Sequence, residues 1–494
     1  MTDDRTPTVE PVALEQLLAE LPPELEVGTN LEAILGGRRL VALDDDPTGT
    51  QSIADLPVLT SWTVDDCRWA LRQPTAGFFV LTNTRSLAEA DAAERNREIV
   101  AALDEASRLE AVPYVLLSRS DSTLRGYYPL ETDVLAEELS ARGTGTDGVV
   151  ISPAYIEPGR ITINSVHWSK IAAGMIPVAQ SEFAKDASFG YSSSDLRDWV
   201  EEKTGGRISR DDVAAITIAD IREGGPDRVQ EILSGLHDGQ PVVVDTTCDA
   251  DLHVVVLALL RAEDAGQRFI YRTGPSFVRA RTGQVATPPI DAERLRAIIA
   301  AQPRDPDDRR PSSSRGLIAI GSHVGLTTRQ LDRLRGTGKI IELELDVPTL
   351  LNPETRDAHV SAVALEAARL LQSDDSDADI VVRTSRTLIK GTDADDSLVI
   401  ARSVSSALVG TVREIVSQVR PAFVVAKGGI TSSDTATEGL SIRRAWTRGT
   451  MLPGIVSLWE PVSGPAQGIP YIVFAGNVGD DEALATVVAT LRSV

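Results

Sequence analysis

Three consecutive carboxylates, Asp44-Asp45-Asp46, end the apolar run Leu40-Val41-Ala42-Leu43 and lead into Pro47-Thr48-Gly49. Acids so crowded repel one another and are costly to bury without cations or hydroxyl partners. A solvated acidic turn is the plain alternative, but the ordered string behind a buried-type strand favours a site. In Ser118-Arg119-Ser120-Asp121-Ser122-Thr123-Leu124-Arg125-Gly126, hydroxyls, a carboxylate and two guanidiniums again follow a strand signal, Tyr114–Leu117. Helix capping would account for Asp121 or Ser122. It does not account for the arginines, whose geometry suits a fork onto carboxylate or phosphate. Arg85 ends a third such strand, and Gly159-Arg160 adds a further cation. Four arginines on loops of one half point to an acidic small molecule.

The second half offers loops of a different chemistry. Gly321-Ser322-His323-Val324-Gly325, Lys427-Gly428-Gly429-Ile430-Thr431-Ser432 and Ala475-Gly476-Asn477-Val478-Gly479 each follow a short apolar run. Small residues at strand-to-helix turns let backbone amides face a phosphate. Any one glycine turn is weak; three in one half favour a nucleotide-phosphate cradle. No Walker A motif is present, since Gly336-Thr337-Gly338-Lys339 lacks the spacing, and no dinucleotide fingerprint occurs. The five histidines show no metal-ligand spacing, and Cys67 and Cys248 read as free thiols of a reducing compartment.

Strand signals at Leu40–Leu43, Gly77–Leu81, Tyr114–Leu117, Gly148–Ile151, Ala215–Ile218, Val242–Val244 and Phe269–Tyr271 alternate with helical periodicity. A second series runs through Leu317–Ile320, Ile340–Leu345, Ile380–Arg383, Ala422–Ala426, Gly454–Trp459 and Tyr471–Phe474, with a long helix predicted over Ser397–Arg420. Such alternation implies βαβ units. Expected, therefore, are two α/β domains with mostly parallel sheets and an interdomain active-site cleft. The divisions expected are an N-terminal extension (1–36, with a helix near Val12–Glu20), a first domain (37–285), a linker (286–315) and a second domain (316–494). Pro, Ser and charge in 301–315 mark the linker most clearly. With 494 residues, two cores are the default. A net charge of −23 argues against nucleic acid or an anionic membrane as partner. The polar, acidic N-terminus is unlike a signal peptide and no apolar run approaches a membrane span, so a cytoplasmic protein is expected. Homo-oligomerisation is left open.

The ordered set Asp44–Gly49, Asp121–Gly126, Pro153-Ala154-Tyr155, Gly159-Arg160, Glu182–Asp186, Gly321-Ser322, Gly428–Ser432 and Gly476-Asn477 resembles the four-carbon acid sugar kinases, formerly Hrp-dependent effector-like proteins of unknown function. The resemblance covers nearly all the chain after residue 36. It implies an N-terminal domain that binds an acid sugar and a C-terminal domain that binds ATP with Mg²⁺. It also implies phosphorylation of the terminal hydroxyl of threonate, erythronate or 3-oxo-tetronate. On this reading Ser322, Gly428, Gly429, Ile430, Thr431 and Gly476 contact nucleotide. Asp46, Arg85, Ser122, Arg125, Gly126 and Arg160 belong to the substrate site, and Asp121 or, second, Asp45 accepts the hydroxyl proton. The metal ligands are not specified. The family's usual Gly-Gly-Glu-Thr-Ser here has Ile430 for Glu, with Lys427 before it; Pro47 and Tyr127 also depart from the common pattern. A catalytically silent binding or effector-like protein is the alternative, favoured by Ile430. An isomerase or aldolase would need a metal cluster or a Schiff-base lysine, and Lys427 is the lone strand-end candidate.

Overall fold

The computed structural model describes residues 10–28, 37–302, 306–386 and 394–494. It is an α/β chain that forms two compact units. One holds Met1–Gly49 and Trp62–Ala286, the other Thr50–Ser61 and Thr287–Val494. In chain order the first strands are β1 (Arg39–Asp44), β2 (Leu56–Leu59), β3 (Gly77–Leu81), β4 (Tyr114–Arg119), β5 (Gly148–Ser152), β6 (Arg160–Ile163), β7 (Val166–Ile171), β8 (Gly174–Pro177), β9 (Ala214–Ile216), β10 (Gln240–Val244) and β11 (Phe269–Thr273).

All but β2 lie in the first unit. Its main sheet is parallel, in the order β3-β1-β4-β11-β5-β10-β9. These strands are buried on both faces and so read as unbroken apolar runs. Their register decides the chemistry. Asp44 lies opposite Leu81 on one side and Arg119 on the other, and Arg119 opposite Thr273. The loops after β1, β3, β4 and β11 therefore leave from one edge, where ligands sit in open α/β sheets. The helix Glu89–Glu110 faces the core through Ala92, Asn96, Ile99, Val100, Leu103 and Ala106, at three- and four-residue spacing. Strands β6, β7 and β8 form a separate antiparallel sheet. Helix Leu14–Leu18 packs Leu14, Leu17 and Leu18 against Ile161, Ile163 and Met175 there.

The second unit contains β12 (Leu317–Ile320), β13 (Ile340–Leu345), β14 (Asp379–Thr384), β15 (Val424–Lys427), β16 (Arg444–Leu452), β17 (Ile455–Pro461) and β18 (Tyr471–Phe474). The order is β13-β14-β12-β15-β18-β17-β16-β2, parallel as far as β18 and antiparallel beyond it. Trp459 Nε1 donates to Thr50 Oγ1 at 3.0 Å, and Thr50 Oγ1 to Ser457 Oγ at 3.0 Å. These buried bonds tie the 50–61 segment to this unit. The core joins Ile318, Phe423, Val425, Leu458, Ile472, Phe474 and Leu484. Truncating a buried aromatic such as Phe423, 2% exposed, typically costs about 3–5 kcal/mol.

Part of the stretch read as linker is structural. Residues Ala292–Ala301 are helical, and Ile290 and Leu295 are buried in the second core. The long helix runs Ala394–Gln418. Strands β2, β6, β7, β8 and β16 were not anticipated. Cys67 and Cys248 are both free thiols. Among the described residues no helix is long and apolar enough to cross a membrane.

Candidate functional site

At the carboxyl edge of the first sheet, a cluster of acids and guanidiniums occupies the ends of β1, β3 and β4. Arg119, the last residue of β4, is almost fully buried; its Nε donates to Asp44 Oδ1 at 2.6 Å and its Nη2 to the Asp46 carbonyl at 2.8 Å. Arg85 follows β3 after Asn83, which turns the chain in the left-handed region (φ 54°). Its guanidinium lies 3.0 Å from Asp46 Oδ2, 3.4 Å from Asp45 Oδ1 and 3.7 Å from Asp121 Oδ2. Asp121 Oδ2 also accepts from Arg125 Nε at 2.6 Å and from the Thr123 hydroxyl.

The acids are thereby made unequal. Asp121 pays for burial, but Arg85, Arg125 and two hydrogen bonds outweigh that and hold it well below the usual carboxylate range. Asp46 is likewise held low against burial by Arg85, Arg119 and Thr48. Burial pushes Asp44 up to about 7 despite Arg119. Asp45 is raised, again chiefly by burial, with Asp46 and Asp121 adding to the rise against Arg85 and Arg119. It is 2% exposed, and neither carboxylate oxygen has a hydrogen-bond partner. A buried carboxyl group with neither oxygen hydrogen-bonded leaves both open to a ligand's polar group. Gly126 (φ +110°) passes close by; a Cβ there would lie 3.0 Å from Asp45 Oδ2.

Arg125 and Arg160 flank one aromatic face, 4.9 and 5.8 Å from the Phe183 ring centroid. Arg125 is partly committed, to Asp121 and, at 3.7 Å, to Asp186. Arg160 has no ion pair among the described residues, and its buried Nε has no hydrogen-bond partner. Burial lowers its affinity for a proton despite Asp121. Ser122 is buried, and its carbonyl accepts from His167 Nε2 at 2.8 Å. Burial pushes His167 down to about 4, so it is neutral and structural.

Sequence reasoning missed Glu131 and Arg272 entirely and gave Arg119 no separate role. Glu131, accepting from Ser118 at 2.9 Å and Thr84 at 2.5 Å, is pushed up to about 7 by burial and Asp45. Arg272 lies 4.7 and 5.4 Å from the Trp199 and Tyr128 rings, which stack on one another at 4.6 Å, and donates to the Arg125 carbonyl at 3.3 Å. A cation inside the apolar run Phe269-Ile270-Tyr271-Arg272 was the available signal.

In the second unit the three glycine loops converge. A Cβ on Gly476 would lie 2.5 Å from Ser322 Oγ, and one on Gly428 2.8 Å from Thr431 Oγ1. Gly428 (φ +135°) opens the short helix Gly429–Asp434. Thr327 Oγ1 donates to Ser322 Oγ at 3.1 Å or to the Gly476 carbonyl at 3.0 Å, fastening the first loop to the third. Ser322, Gly428, Thr431 and Gly476 thus stand together, too closely packed for a larger side chain at either glycine. Gly429 begins the helix, and Ile430 beside it is 60% exposed. Two cations also reach these loops. Lys427, fully buried, donates from Nζ to the Ala475 carbonyl at 2.6 Å and lies 3.7 Å from the Phe474 ring. Burial pushes it down to about 7. Arg386 donates to the Ser322 carbonyl and, at 2.6 Å, to Thr328 Oγ1. Among the described residues no group of three or more His, Cys, Asp or Glu could hold a metal ion.

With an acid- and arginine-lined cluster in one unit and three glycine loops in the other, the chain is a two-unit α/β protein. Residues 40–281 match the family described as a sugar-binding N-terminal domain, and residues 317–484 the nucleotide-binding C-terminal domain. The chain belongs to the four-carbon acid sugar kinase family that these two domains define. No curated protein matches the sequence. Among solved structures, a Salmonella typhimurium LT2 protein provisionally assigned as a tRNA synthase is 18% identical, covering 91% of this chain and 98% of its own (TM-score 0.63). A Haemophilus influenzae DUF1537 protein is 17% identical, covering 91% and 100% (TM-score 0.58). Both share the fold.

Proposed function

We propose that the protein is an ATP-dependent kinase that phosphorylates the terminal hydroxyl of a four-carbon acid sugar of the threonate, erythronate or 3-oxo-tetronate type. The observation that carries this reading is Asp45: a buried carboxylate of the sugar-binding domain that lies 3.4 Å from Arg85 and 3.3 Å from Arg119, yet has no hydrogen-bond partner on either oxygen. In phosphoryl transfer the protein does little covalent work; it aligns the acceptor hydroxyl and compensates charge. Arg160, with the unshared edge of Arg125, anchors the sugar carboxylate and so fixes which hydroxyl faces the nucleotide. Asp45 accepts that hydroxyl's proton. Asp121, the first choice from sequence, fits the role less well, because a carboxylate saturated by Arg85, Arg125 and Thr123 is a poor base. Its better role is to hold Arg85 and Arg125 in place.

The glycine loops around Ser322, Gly428, Thr431 and Gly476 take the triphosphate through backbone amides, with Arg386 supplying positive charge beside them and Lys427 holding the Ala475 carbonyl. Mg²⁺ suits the phosphates and water better than any protein cage here, and when bound it neutralises the transferring group's charge. ADP release, followed over a panel of four-carbon sugar acids with MgATP, tests the proposal. One or two acids should raise turnover far above the acid-free rate. A flat panel with tight binding of both ligands would favour the silent binding protein instead, for which the exposed Ile430 in place of an acid is the motive.

A further inference from the structure

A cavity of about 400 Å³ lies in the second unit, lined by Gln302, Arg296, Ser312, Arg420, Phe423 and Arg492 among others. Phe423 precedes β15, whereas Gly428 follows it. The cavity is therefore at the amino edge of the sheet, roughly one four-residue strand, ~13 Å, from the nucleotide cradle. Its size falls in the range of small-molecule sites.

Its lining is unsatisfied in a particular way. Gln302 is only 9% exposed, yet its side-chain Oε1 and Nε2 both lack a hydrogen-bond partner. Buried amides are ordinarily paired, so a buried donor and acceptor left open on a cavity wall mark a place for a polar group. Three guanidiniums share the wall. Arg492 is neutralised by Asp377 and Asp379, each at 3.0 Å, and Arg420 faces Asp308 at 3.5 Å. Arg296 has no ion pair among the described residues. The open charge is positive and stands on the same cavity as an open amide.

We propose that this cavity is a second binding site, for a small metabolite that carries a carboxylate or phosphate next to a hydroxyl. The oxyanion meets Arg296, and the Gln302 amide pairs with the hydroxyl. The assignment does not depend on the reaction proposed above.

Thermal unfolding of the full chain, at constant ionic strength in chloride, tests it with inorganic phosphate in one arm and malate in the other. Wild type and Arg125→Lys, which weakens the oxyanion site of the first unit, should show the same saturable rise in Tm with at least one probe. The arm that saturates identifies the oxyanion. Arg296→Ala and Gln302→Leu should weaken the apparent affinity about tenfold or more. Gln302→Leu is close in volume and removes two unpaired polar atoms, so its ligand-free Tm should not fall. No saturable shift with either probe overturns the proposal. So does a shift that survives in both Arg296→Ala and Gln302→Leu, or one lost in Arg125→Lys, since the anion then binds elsewhere.

Discussion

Among single residues, the ranking of carboxylates carries the most weight. Asp45→Asn should lower kcat about 10²–10⁴-fold while leaving acid-sugar and nucleotide affinities near normal, because only proton acceptance is lost. Asp121→Asn should instead raise KM for the acid sugar more than it lowers kcat, as Arg85 and Arg125 lose their anchor; steady-state kinetics of the pair separates the roles. Because burial raises Asp45, the acid limb of kcat/KM should sit above the ordinary carboxylate range, activity falling as pH drops through it. Arg160→Lys keeps the charge but not the fork, so KM for the acid sugar should rise about tenfold or more with nucleotide affinity unchanged. The sequence revealed the members of this cluster, since Asp44–Asp46, Arg85, Asp121 and Arg125 all stand at strand ends. Their ranking was not legible, because it depends on which guanidinium reaches which oxygen. Arg85 serves three acids at once, a fact of register between β1, β3 and β4.

At the scale of elements, the glycine loops make two predictions. A Cβ on Gly476 would meet Ser322 Oγ at 2.5 Å, so Gly476→Ala should weaken nucleotide binding about tenfold by calorimetry and leave acid-sugar binding intact. Lys427 has a stability signature. Its folded pKa is pushed down to about 7, against about 10.4 for an unfolded lysine. Between those values the unfolded chain holds a proton that the folded chain lacks, so wild-type stability should rise with pH across that window. Lys427→Met should be more stable than wild type near pH 7 and flat over the window; a parallel dependence in chemical denaturation would contradict this. The parallel strands were readable as short apolar runs. β16, Arg444–Leu452, was not: its alternating polar residues and a register shift between Thr447 and Gly449 blur the period. β6 and β7 carry Arg160, Thr162, His167 and Ser169, and so read as loop.

At the scale of the whole molecule, the two units are not two contiguous stretches of chain. β2 leaves the first unit's sequence to pair antiparallel with β16, Leu56 opposite Thr447 and Leu59 opposite Arg444. No local signal reports such a crossing, because Leu56-Pro57-Val58-Leu59 pairs with residues nearly four hundred positions on. Residues 316–494 alone would lose β2 and the helix Ala292–Ala301, leaving the β16 edge and the Ile290 and Leu295 sites open. That fragment should therefore fail to unfold cooperatively by circular dichroism, whereas the full chain should melt as a folded protein. The acidic total of −23 gave no sign of the arginines gathered at the ends of β3 and β4 and on the wall of the second unit's cavity. The most direct test of the account is phosphorus NMR of wild-type enzyme with MgATP and the acid that turns over fastest. It should show one phosphomonoester on the terminal carbon, formed in equal amount with ADP and lost with Asp45→Asn. ADP released with inorganic phosphate alone, or no product while both ligands bind, would contradict it.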